Sequence, residues 1–100
     1  MVFASACRPI PPTSEQTDKY GVIELAEHAP SHTADLGRNV VAGLLPKRDL
    51  LESHGIACLI PRHGIVCVAR DLDTVYDTLE RIDRGARMHL LARLLAPPAR

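Results

Sequence analysis

Tryptophan is absent from this chain, and aromatic residues of all kinds make up only 3% of it. Single-stranded nucleic acid is usually bound on aromatic stacking platforms, and the chain has little from which to build one. Charge of either sign is not in excess: 12 Lys and Arg face 12 Asp and Glu, so there is no global field to attract nucleic acid or an anionic membrane. No apolar run approaches the roughly 20 residues that span a bilayer. Cysteine is sparse and odd in number (Cys7, Cys58 and Cys67), which does not make a disulfide scaffold and indicates a reducing, cytoplasmic setting. The opening MVFASAC has the flavour of a lipoprotein cleavage site but lacks a basic leader and a full apolar segment, so export is not expected.

What remains is a globular composition, 46% hydrophobic over 100 residues, enough for one small domain or part of a larger one. With so few aromatics, aliphatic packing must supply the core. Met1–Cys7 is short and apolar, the tail of a helix or strand. Arg8–Pro12 holds three prolines and must be extended or turning. Thr13–Tyr20 suits one helical turn capped by Thr13 or Ser14 and broken by Gly21, and Val22–Leu25 suits a short strand. Thr33 is a good N-cap with Asp35 in the first turn, and Leu36, Val40, Val41 and Leu44 then recur at helical spacing until Pro46 ends or kinks the helix. Lys47–Ser53 allows one further turn, stopped by Gly55.

Two apolar runs follow, about 56–60 and 65–69. Neither alternates polar with apolar, so both are expected to be buried on both faces. Asp71 then caps a helix whose stripe is Leu72, Val75, Tyr76, Leu79, Ile82, Ala86, Leu90 and Leu94. Gly85 inside it costs about 1 kcal/mol relative to Ala, which implies a close contact or a bend. Pro97-Pro98 is expected to stop the helix.

Between the two runs lies Pro61-Arg62-His63-Gly64. Gly64 is expected to supply the unusual backbone angle, leaving His63 at the tip of a sheltered hairpin, where a rigid imidazole can act as a metal ligand or as an acid or base. The other candidates are weaker. His28 and His32 have the i,i+4 spacing of helical metal ligands, but Pro30 lies between them. His54, in the first of two His-Gly-Ile copies, suits a helix C-terminus. A four-residue loop at 61–64 would place Cys58 opposite Cys67, and with His63 they would make a Cys–Cys–His zinc set; buried cysteines more often act as small hydrophobes. Arg81, Arg84, Arg87 and Arg93 mark the polar side of the last helix, with Asp77, Glu80 and Asp83 spaced for ion pairs.

The order apolar strand, His63-Gly64, apolar strand, Asp71-Leu72, long helix resembles the C-terminal part of the class II aldolase/adducin family. Val22–Leu25, Ala29-Pro30, Thr33–Leu36 and the Arg8–Pro12 connector with Gln16 extend the likeness over about residues 4–95. The resemblance implies part of a three-layer α/β/α fold: a single partial domain over 1–100, with an antiparallel hairpin at about 56–69 and a C-terminal helix at about 71–95. It implies descent from zinc-dependent lyases and epimerases of sugar phosphates, in which Zn(2+) is held by an H-x-H pair and a later H-G histidine. His63 matches the last of these. No H-x-H occurs in the chain, Ala69 stands where glycine is usual before Asp71, and Asp83 where glutamate is common. The expectation is therefore a C-terminal fragment, inactive alone, that forms a homo-oligomer or is complemented by an N-terminal half. A non-enzymatic adducin-like assembly module and an unrelated small α/β binding domain are the alternatives.

Overall fold

The two apolar runs pair as an antiparallel ribbon, β1 (Ile56–Ile60) and β2 (Gly64–Val68), and everything else is arranged around it. The computed structural model describes residues 1–95. Ahead of the ribbon come α1 (Val2–Ser5), α2 (Glu15–Asp18), α3 (Ala34–Leu44) and a 3₁₀ segment over Leu45–Glu52; after it comes α4 (Leu72–Leu95). The result is a mixed α/β fold in which the hairpin is followed by the long helix. Pro97-Pro98 lies outside the described residues.

Helices lie on both sides of the ribbon. Cys58 turns toward α3, where its Sγ–H points at the Val40 carbonyl at 3.9 Å. Ala57, Leu59, Ile65 and Cys67 face the other way and join Phe3, Ala4, Ile82 and Ala86. The expected strand at 22–25 is reduced to single bridges: Ile23 pairs with Ile10, and Leu25 lies parallel to Leu59. Leu59 donates to the Glu24 carbonyl and accepts from Ala26 N–H, both at 2.8 Å, so this segment covers the outer edge of β1. The outer edge of β2 has no partner strand among the described residues.

The expectation that both strands are fully buried holds for β1 through Leu59 but not for β2, which is half-buried and exposed at Val68. The stripe on α4 is corrected in the same sense. Its buried line is Thr78, Ile82, Gly85 and Ala86, while Leu72, Tyr76, Leu90 and Leu94 face solvent. On α3, Leu36, Val40 and Leu44 are half-buried and Val41 is exposed. Periodicity identified apolar faces; the chain lacks the layers to cover all of them.

Local chemistry sets the boundaries. Asp71 Oδ1 accepts the Thr74 N–H at 2.7 Å, capping α4, and this backbone bond holds the Asp71 carboxyl below its usual range. Thr33 Oγ1 accepts from Leu36 N–H at 3.3 Å and caps α3. Gly85 permits a close approach: its carbonyl accepts from Thr13 Oγ1 at 3.1 Å, and a methyl there would lie 2.8 Å from Thr17 Cγ2. Gly85→Ala should therefore destabilise the fold by about 1 kcal/mol in urea unfolding, the overpacking outweighing a gain in helix propensity of similar size. An unchanged or higher midpoint would show that α2 is not seated on α4 in this way.

The hairpin turn differs from expectation. The loop is three residues, 61–63, because Gly64 pairs with Ile60. His63 N–H donates to the Ile60 carbonyl at 3.0 Å, with Pro61 second and Arg62 third at φ 66°. This is the pattern of a type II turn, in which the third position favours Gly or Asn. The left-handed residue is thus Arg62, not Gly64. Arg62→Gly should relieve that strain and raise stability by about 0.5–1 kcal/mol, net of the extra freedom glycine has when unfolded. A lower urea midpoint would count against the turn assignment.

Candidate functional site

His63 is held at its backbone from three directions. The β1–β2 ladder fixes the residue after it, the turn bond to Ile60 fixes its own N–H, and Arg62 N–H donates to the Ala4 carbonyl of α1 at 2.8 Å. Pro61 is buried beneath the turn. The imidazole itself is exposed, and its Nε2 lies 3.0 Å from Ser31 Oγ. Ser31 sits two residues before the Thr33 cap, in a loop where Thr33 Oγ1 donates to the Pro30 carbonyl at 2.7 Å and His32 adopts φ 62°. The start of α3 and the tip of the hairpin therefore meet at one serine–histidine contact. Nothing local in the sequence signals this pair, because the two residues are 32 positions apart.

A Ser–His hydrogen bond alone does not make a nucleophile. The pattern needs a third group to orient the imidazole, and no carboxylate is bonded to His63 among the described residues. The contact fixes the direction of the ring.

The remaining sequence candidates separate in space. His28 and His32 are exposed on irregular backbone, not on one helix face. His54 is buried after the 3₁₀ segment, its backbone N–H bonded to the Leu50 carbonyl at 3.0 Å and its Nδ1 to the Gly55 carbonyl at 2.7 Å. A carbonyl only accepts, so Nδ1 carries the proton and the residue is structural. Cys58 and Cys67 do not face each other. The three-residue loop pairs Ala57 with Cys67 and Cys58 with Val66, which sends the thiols to opposite faces of the ribbon. Burial pushes both thiols up, so neither is a ready thiolate. The Cys–Cys–His set is excluded by this register. Arg81, Arg84 and Arg87 pair with Asp77, Glu80 and Asp83 at 3.0, 3.8 and 3.8 Å, all on the surface.

Zinc in a catalytic site needs three protein ligands. Among the described residues no three His, Cys, Asp or Glu side chains converge on a point that could hold a metal ion. His63 offers one imidazole nitrogen, so this chain by itself does not fit the metal that the sequence resemblance implies.

Residues 1–90 match the class II aldolase and adducin N-terminal domain, and the chain belongs to that family. Among solved structures, L-fuculose 1-phosphate aldolase is similar with a TM-score of 0.76 at 23% identity, over 98% of this chain and 43% of that one. The chain thus spans less than half the length of the structure it matches, and at this identity the likeness concerns the fold. No curated protein matches the chain in sequence. No helix among the described residues is long and apolar enough to cross a membrane.

Proposed function

We propose that this chain is the C-terminal part of a class II aldolase/adducin-type domain, descended from zinc-dependent lyases or epimerases of sugar phosphates, and inactive on its own. In this reading His63 is one metal ligand of a composite centre whose other ligands, an H-x-H pair, lie outside these 100 residues. The observation that carries the reading is His63 itself: the histidine of the His-Gly pair in a family-matched segment, at a hairpin tip braced by α1, its ring directed by Ser31. The exposed apolar residues Leu72 and Tyr76 on α4 and the open edge of β2 are surfaces that a missing half or a second copy would cover.

The test is a zinc titration of the purified chain, alone and mixed with a polypeptide carrying the family's N-terminal half. Tight uptake is expected only in the mixture, and His63→Ala should abolish it while leaving the thermal midpoint of the isolated chain unchanged. Tight binding by the lone chain, or none in the mixture, refutes the composite centre.

A non-enzymatic, adducin-like assembly role is the second reading, motivated by the lack of an H-x-H pair in these 100 residues. It predicts a stable homo-oligomer by light scattering whose assembly is indifferent to zinc and to His63→Ala. A monomer at all concentrations would remove it.

A further inference from the structure

The chain is neutral overall, yet its charges are unevenly placed. No Asp or Glu occurs in residues 1–14 or in residues 84–100. The fold brings parts of these two acid-free segments together, residues 2–8 against residues 89–93. A cavity of about 330 Å³ opens between α1 and the end of α4, with Val2, Phe3 and Leu90 as its apolar lining and Arg8, His89 and Arg93 as its polar one. That volume is at the lower end of the range of small-molecule sites.

The arginines here differ from their neighbours. Along α4 the acid-to-arginine spacing of four repeats three times, Asp77–Arg81, Glu80–Arg84 and Asp83–Arg87. At the next step His89 stands where the acid would be, four residues before Arg93. Neither Arg93 nor Arg8 makes an ion pair among the described residues. The negative end of the α4 dipole is one reason for a cation at position 93, but it does not account for Arg8, which enters from the opposite wall. The buried Phe3 ring lies 5.9 Å from the His89 ring, at a tilt of 53°, and so sets the imidazole against the apolar floor.

We propose that this cavity binds a small amphipathic anion: a phosphate or carboxylate head taken by Arg8, Arg93 and His89, with an apolar or aromatic tail on Phe3, Val2 and Leu90. Guanidinium groups give charge-assisted, two-pronged hydrogen bonds to such heads, and the ring beneath rewards an apolar tail. The site is separate from His63 and does not depend on the metal reading.

The experiment titrates the whole ¹⁵N-labelled chain with phenyl phosphate, inorganic phosphate and benzyl alcohol in parallel. Phenyl phosphate should shift the amides of Phe3, Ala6, His89 and Leu90 and bind at least about tenfold more tightly than either of the others, because only it satisfies both halves of the cavity. Arg8→Gln and Arg93→Gln should each weaken it about fivefold, while Arg84→Gln, which removes a guanidinium already paired with Glu80, should leave it unchanged. Equal binding of benzyl alcohol and phenyl phosphate would overturn the proposal, as would shifts centred on Ser31 and His63. Binding to phosphatidylglycerol vesicles without binding to phenyl phosphate would also overturn it, by reassigning the patch to a lipid surface.

Discussion

Gly55→Ala is expected to cost the fold about 3 kcal/mol, a large share of the 5–15 kcal/mol that holds a domain of this kind together. Gly55 is buried at the entry to β1, and a methyl group there would lie 2.5 Å from Thr78 Oγ1, 2.8 Å from its Cβ and 2.9 Å from its Cγ2. All three atoms belong to one β-branched side chain in the second turn of α4, restricted at χ1 by its own helix. Thr78 is 1% exposed, so it has no free space to rotate into. The same Oγ1 accepts the Gly55 N–H at 3.1 Å, so moving the threonine away also strands a buried donor. The strand, the helix or the hydrogen bond must give. Urea unfolding of Gly55→Ala, Thr78→Ala and the double variant would measure this. The double variant should be less destabilised than the sum of the singles, by about 1–2 kcal/mol, because Thr78→Ala removes two of the three colliding atoms. A loss below about 1 kcal/mol for Gly55→Ala would mean that β1 does not press on α4 here.

Much of this arrangement is legible from residue chemistry. Asp71 announces the start of α4, Thr33 that of α3, and Gly55 the end of the segment before the ribbon, because each supplies a cap or a stop that its neighbours cannot. The order of pieces around His63-Gly64 points to the family. Three features are not legible, for different reasons. The hairpin register turns on one residue: local rules favour Gly64 over a long, charged side chain for a left-handed angle, yet Arg62 takes it at φ 66° and the loop is three residues long. A single-residue shift reverses the face of every side chain, so Cys67 lies opposite Ala57 and not opposite Cys58. Leu72, Tyr76, Leu90 and Leu94 belong to the apolar stripe yet are exposed, because periodicity locates an apolar face without saying whether another layer covers it. The Ser31–His63 contact and the Arg8–His89–Arg93 cavity are tertiary, built from positions that no local spacing relates.

Leu59→Ala should be as damaging as Gly55→Ala by the opposite route, removing volume where Gly55→Ala inserts it. Leu59 is 0% exposed and belongs to the core cluster that also holds Phe3, Ala4, Ile10, Ile23 and Ile82, residues drawn from α1, the Ile10–Ile23 bridge and α4. Its backbone pairs with Glu24, Ala26 and the β2 ladder and would survive the substitution, leaving those walls propped apart around a void. Truncation of such a leucine costs about 2–5 kcal/mol, and a value near 3 corresponds to a fall of about 12–24 °C in Tm for a domain of this size. Cys58→Ala, one residue away, is the control. Cys58 is equally buried but faces α3, whose half-exposed residues are free to relax, and it loses one sulfur atom, so about 1 kcal/mol is expected. Hydrogen exchange connects the pair of variants to the site. The Arg62 amide is held by the Ala4 carbonyl, and Ala4 belongs to the Leu59 cluster but not to the α3 side. Under conditions where both variants stay folded, Arg62 should exchange faster in Leu59→Ala and as in the parent chain in Cys58→Ala. Equal losses in the two variants, or an Arg62 amide indifferent to Leu59, would place the main support of the His63 turn on α3 instead of on α1 and α4.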